Sequence, residues 1–213
     1  MTPVDCMPAA AFLLRLDNKN IQVIVGTLAD PIVSRMKKII IIEMKREDFN
    51  MFGFFKKNKK DSELSLIAPA TGKIVPISEI PDPVFAQKMA GDGIGIDVTG
   101  DTIVAPADGT VSLIFKTKHA FAMTLNNGIE LLVHVGLETV ALNGEGFEQL
   151  IEQGTTVKAG TPILKIDREL IKSKGCPLVT PVLITNVDAT KSLTPIANGD
   201  AVAGQTSIIE YTV

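Results

Sequence analysis

The chain has 213 residues, of which 46% are hydrophobic and 21% charged, with a formal net charge of −3. That balance fits a globular protein and gives no electrostatic basis for nucleic acid as a partner. Seventeen glycines and twelve prolines, against nine Phe, one Tyr and no Trp, suit a fold of many short strands and tight turns.

Cys6 and Cys176 make no CxxC or other metal spacing, so reduced thiols are expected. The N-terminus lacks a signal-peptide pattern. The longest aliphatic run, Ile39 to Ile42, is far too short to span a bilayer. A soluble, cytoplasmic protein is the expectation.

In chain order, residues 1–50 show apolar patches but no strand–turn rhythm connecting them to the rest of the chain. Residues 51–65 open with "MFGFFKKNKK", apolar and then basic, which reads as an amphipathic, basic tail. From Leu66 onward, strand-length apolar runs such as "GKIVPI", "GIGIDV", "AFAMTL", "IELLVHV" and "TPILKI" alternate with Gly, Pro, Asn and Asp. Helical spacing is convincing only briefly, around "GFEQLIEQG". Residues 66–213 are therefore predicted to form an all-β domain, a compact antiparallel sandwich or barrel with at most short helices. An internal echo runs through it: "APATGKIV" returns as "APADGTVS", and "VKAGTPILKI" returns loosely as "VAGQTSIIEY".

The chain has two histidines, and both fall beside one hairpin signal. Asn126-Asn127-Gly128 separates two strand-like runs and tolerates positive φ. A two-residue loop at Asn127-Gly128 sets His134 opposite Phe121, with His119 its diagonal neighbour. A loop at Asn126-Asn127 sets His134 directly opposite His119. Either register puts both rings on one face, since strand side chains alternate with period two, and only a three-residue loop would separate them. Thr117 and Leu132 join the histidine face, while Leu131, Val133 and Val135 point to the core.

Taken singly, a strand histidine is usually a satisfied core or surface residue; two that converge in a chain with no others point to a site. Zinc would need a third ligand, for which Glu130 and Glu138 offer no established spacing. Acid–base catalysis lacks a recognisable nucleophile set. Nucleophilic catalysis by histidine on a phosphoryl group, with a second N–H donor and a hydroxyl nearby, fits best.

At these residues "GIELLVHVGLETV" closely resembles the active-site signature of the glucose-family enzyme IIA domains of the bacterial phosphoenolpyruvate:sugar phosphotransferase system. "FKTKHAF", "PDPVF", "GDGIGI", "NGEGF" and "VTPVLITN" resemble that family too, so the likeness runs from about Leu66 to the C-terminus. The resemblance implies a β-sandwich phosphotransferase component in which His134 is transiently phosphorylated. His119 would stabilise the phosphate and Thr117 would hydrogen-bond within the site. The phosphoryl group would come from the phosphocarrier HPr and pass to an enzyme IIB domain of a sugar permease. Phe85, Phe115, Phe121, Leu132 and Val140 match the family's apolar docking positions, with Asp82 and Glu138 as acidic points. No cofactor is required, and the pair His119 and His134 would hold at most an accessory zinc ion.

Two other readings use the same residues. The "APxxGxV" echo also resembles biotinyl and lipoyl carrier domains, with Lys88 in "QKMAG" as the nearest modifiable lysine. A two-histidine zinc protein is the other. Translation is expected to begin at Met51, since Lys45-Arg46-Glu47-Asp48 can be encoded by a purine-rich ribosome-binding sequence just upstream. Residues 1–50 then fall outside the functional protein.

Overall fold

The computed structural model describes residues 12–17, 20–25 and 64–213, and among these the strand-length runs translate into sixteen strands and two short α-helices. Strands β1 (Phe12–Asp17) and β2 (Asn20–Val25) pair only with each other, as an antiparallel hairpin. Neither strand shares a ladder with the strands that follow. The rest of residues 1–50 and the tail at 51–63 lie outside the described residues.

The remaining strands build an antiparallel sandwich. Eight form one sheet in the spatial order β11 (Thr156–Val157), β7 (Gly109–Ile114), β8 (Ala120–Leu125), β9 (Glu130–His134), β13 (Val179–Ile184), β5 (Asp92–Val98), β4 (Gly72–Pro76) and β15 (Gly199–Ala201). Two three-stranded sheets complete it. One is β10 (Phe147–Gln149), β12 (Pro162–Ile166) and β6 (Thr102–Val104); the other is β14 (Ser192–Pro195), β16 (Ser207–Thr212) and β3 (Leu64–Ile67). The short helices are α1 (Pro83–Ala86) and α2 (Arg168–Ser173), opened by the side chains of Asp82 and Asp167, which accept from backbone N–H groups of the first turn. "GFEQLIEQG" is not helical: it begins as β10, because Phe147 to Gln149 pair with Ile166 to Leu164 and Phe147 is buried in the core.

The sequence echo is a structural one. Ile67 N–H donates to Pro106 O at 2.9 Å, and Val104 N–H donates to Pro69 O at 2.8 Å, so the two "AP" turns grip each other reciprocally. Ala68 and Ala105 each donate to a threonine carbonyl, Thr206 and Thr161, and each accepts from a glycine, Gly204 and Gly160, all at 2.8 Å. In both halves the second echoed segment supplies the middle strand of a three-stranded sheet, β12 beside β6 and β16 beside β3.

Alternation along the strands sorts the apolar residues into two cores. Phe121, Met123, Leu131, Val133, Val182 and Ile184 of the large sheet face Leu66, Ile103, Ile163 and Ile209 of the small ones, forming the main core. The opposite face of β8, β9 and β13 presents Ala120, Leu132 and Leu183. It is covered by Ile77, Ile80, Val84 and Phe85 from the segment around α1. The histidines lie beside this second cluster.

Candidate functional site

The loop between β8 and β9 has three residues, Asn126-Asn127-Gly128, closed by Leu125 N–H on Ile129 O at 2.8 Å. Gly128 takes a φ of +87° there, which an L side chain rarely adopts. Both two-residue registers are thereby corrected: His134 stands opposite Ala120, and Phe121 opposite Val133. Strict alternation would turn His119, whose carbonyl accepts Val135 N–H at 2.7 Å, toward the core face with Val135.

The two rings nevertheless meet, with centroids 4.9 Å apart and planes at 70°. His119 precedes the first residue of β8 and follows Lys118, which is left-handed at φ +55°. That turn, tied by Lys118 N–H to Phe115 O at 2.7 Å, ends the strand's alternation before His119 and frees its ring to swing toward His134.

Each ring nitrogen that the fold engages is held by a different partner. Thr117 Oγ1 lies 2.5 Å from His119 Nδ1. His134 Nδ1 lies 2.7 Å from the carbonyl oxygen of Gly136 and can only donate to it. Sequence reasoning missed this partner, although "HVGL" sits inside the quoted signature. Phe115 packs on His119 with centroids 5.2 Å apart, and Phe85 on His134 at 5.4 Å.

Burial keeps both imidazoles neutral near pH 7. His119 is 3% exposed, and loss of hydration, followed by the charge of His134, pushes its pKa down to about 3. Desolvation likewise lowers that of the half-buried His134, opposed by the Gly136 hydrogen bond and the negative charge of Asp82. A neutral imidazole with one nitrogen committed as a donor keeps a lone pair on the other, the state a nucleophile needs.

The proposed docking residues divide sharply. Phe121 is fully buried in the main core and so cannot be a docking contact; its parity follows Val133 and not His119. Phe85 (4% exposed) and Leu132 (5%) belong to the second core, where Phe115 packs at its partly exposed edge. Val140 is exposed, and Asp82 and Glu138 are half-buried. The carboxylate of Asp82 accepts from Val84 N–H at 2.8 Å, which fixes it at the start of α1.

Glu130 lies at the far end of β9 from His134, and no group of three or more His, Cys, Asp or Glu among the described residues could hold a metal ion. Lys88 follows α1 and pairs with Asp92 at 2.8 Å, so it does not stand at a hairpin tip. No helix among the described residues is long and apolar enough to cross a membrane. Cys176 is buried in the main core, and Cys6 lies outside the described residues.

Comparison with known proteins points one way. The profile of a family described as phosphoenolpyruvate-dependent sugar phosphotransferase system, EIIA 1, matches residues 64–190. A glucose-specific EIIA component of Staphylococcus epidermidis is 44% identical over 160 residues, covering 75% of this chain and 96% of the relative. An N-acetylglucosamine-specific EIICBA component of Klebsiella pneumoniae is 39% identical over 212 residues. That alignment takes in 94% of this chain but only 33% of the relative, so the chain spans a third of its length. It also reaches well upstream of Met51, beyond the stretch from Leu66 onward in which the motifs lie. The solved structure of glucose permease IIA from Mycoplasma capricolum superposes with a TM-score of 0.66 at 33% identity, over 70% of this chain and 96% of that one.

Proposed function

The chain belongs to the EIIA 1 family of the phosphoenolpyruvate-dependent sugar phosphotransferase system, and from that premise we propose that His134 carries the phosphoryl group. The fold is the family's β-sandwich, and its function is that of a phosphocarrier in sugar uptake. The observation that carries the proposal is the bond from His134 Nδ1 to Gly136 O at 2.7 Å, which leaves Nε2 unprotonated.

In this reading the Nε2 lone pair attacks the phosphorus of a phosphohistidine on HPr. A new N–P bond forms, and the old one breaks with its electron pair returning to the donor ring. His119 stands beside the incoming phosphate; with Thr117 donating to its Nδ1, its proton sits on Nε2 and can bond a phosphoryl oxygen. The phosphoryl group then passes to an enzyme IIB domain. No cofactor takes part in either step, so chelator-treated protein accepts phosphate as fast as untreated protein.

The working unit is residues 51–213, about the length matched by the glucose-specific EIIA relative. It acts in the cytoplasm, with a weak membrane-surface contact through 51–60. Sugar choice resides with the permease: relatives named for glucose and for N-acetylglucosamine match comparably well. The test is incubation with phosphoenolpyruvate, enzyme I and HPr, followed by mapping of an acid-labile phosphate. Label on His134 is expected; label elsewhere, or none, overturns the proposal.

A further inference from the structure

Gly136 is held at both of its peptide bonds. The peptide before it has its N–H on Thr180 Oγ1 at 3.1 Å, and its carbonyl, that of Val135, on Thr139 Oγ1 at 2.8 Å. The peptide after it has its N–H, that of Leu137, on Pro177 O at 2.9 Å, and its carbonyl on His134 Nδ1. Thr139 and Thr180 are each fully buried. Thr180 has one hydroxyl proton and donates it to Leu178 O at 3.1 Å, so toward Gly136 it can only accept. Gly136 itself takes a φ of +74°. A Cβ there would come within 2.7 Å of Thr139 Cγ2 and 2.9 Å of Pro177 O, so the site admits no side chain.

We infer that Thr180 and Thr139 are positioning residues whose hydroxyls lock the Gly136 carbonyl onto Nδ1 of His134 and so decide which imidazole nitrogen is free to react. The inference rests on His134 being the phosphoryl carrier. Packing alone would be served as well by valine, which has the same shape but cannot accept the Gly136 N–H or donate to Val135 O. Without the clamp, the peptide before Gly136 is free to turn and the peptide that carries the acceptor is held by Leu137 N–H on Pro177 O alone; the Gly136 carbonyl then shifts off Nδ1–H, and the tautomer with hydrogen on Nε2 becomes populated. That tautomer has no lone pair where the phosphoryl group arrives.

Imidazole nitrogen NMR on Thr180→Val and Thr139→Val, with phosphorylation rates from HPr, tests this. Wild type should show a single His134 tautomer with hydrogen on Nδ1. Thr180→Val should mix the two tautomers and slow phosphoryl acceptance about tenfold, while Thr180→Ser restores both. Thr139→Val should act in the same direction. A Thr180→Val protein with wild-type tautomer and rate overturns the inference. Should that variant not fold, amide exchange in wild type serves instead: the Gly136 amide must exchange as slowly as those inside β9, and fast exchange equally overturns the clamp. If wild type shows the Nδ1–H tautomer and the variants mix it, yet no protein accepts phosphate, the clamp stands and the carrier assignment fails.

Discussion

Lys118 adopts the left-handed conformation one residue before His119, and this lets His119 lay its ring 4.9 Å from His134, its neighbour across the hairpin. A lysine there costs about 1 kcal/mol or more relative to a right-handed residue, a cost the site retains. Lys118→Gly should therefore keep the ring pair and leave stability unchanged or slightly raised. Lys118→Val, β-branched and ill suited to positive φ, should destabilise by about 1–2 kcal/mol and slow phosphoryl transfer. Denaturant unfolding and transfer rates check both. A valine variant with unchanged transfer would show that the turn does not govern the pair.

The two histidines have separable parts. His134→Gln should abolish phosphate acceptance from HPr, because the other imidazole beside it, His119, has its Nδ1 lone pair engaged by the Thr117 hydroxyl. His119→Gln should still be labelled but should pass the group to IIB at a rate lowered about tenfold or more, since a donor beside the phosphate is altered. Rapid-quench measurement of each half-reaction distinguishes them. A His134 variant that still becomes labelled removes the central assignment.

The depressed pKa of His119 makes stability depend on pH in a defined window. The folded state keeps the ring neutral down to about pH 3, whereas the unfolded ring binds a proton below its ordinary 6.5. Between those values the unfolded state holds more protons, so stability falls as pH falls, by about 1.4 kcal/mol per unit for a fully titrating site. Above 6.5 the effect is absent. His134, shifted in the same direction, adds to it. Denaturant midpoints at pH 7.5, 6 and 5 should fall more steeply in wild type than in His119→Gln, and equal slopes would contradict the buried neutral state.

The sandwich was legible because Gly and Pro punctuate runs of strand length, and the reciprocal "AP" turns show that the echo reflects two related halves. The meeting of the histidines was legible as a conclusion but not by its route. Expected two-residue loops became a three-residue loop, and a left-handed lysine compensated. Positive φ at a lysine leaves no mark in a sequence. Nor does the exposure of an apolar side chain: Phe121 and Val140 look alike as apolar positions, yet the strand register buries Phe121 in the main core while Val140 stands exposed in the 3-10 turn Thr139–Leu142 after β9. The hydroxyls of Thr139 and Thr180, 41 residues apart in the chain, bond the two ends of one peptide group, an arrangement local pattern does not encode.

Burial separates the docking residues into those that can be tested at the surface and those that cannot. Phe115→Asp, at the partly exposed edge of the second core, should weaken HPr binding while unfolding stays cooperative. Leu132→Asp, at 5% exposure, should instead cost about 3 kcal/mol or more by burying a carboxylate among apolar groups. Added salt should slow association with HPr, the result expected of acidic points such as Asp82 and Glu138 that steer a basic partner. Titration calorimetry beside thermal unfolding separates the two classes. A Phe115 variant with unchanged affinity would take that residue off the docking surface.

The segment before Met51 should be dispensable for the phosphocarrier function. The family match begins at residue 64, and the glucose-specific relative is covered almost entirely by a stretch about as long as residues 51–213. In the described residues upstream, β1 and β2 pair only with each other and share no ladder with the sandwich. A protein begun at Met51 should accordingly accept phosphate from HPr at the rate of the full chain and unfold at the same temperature. A Met51 protein that transfers more slowly or melts earlier would show that the upstream residues belong to the working unit.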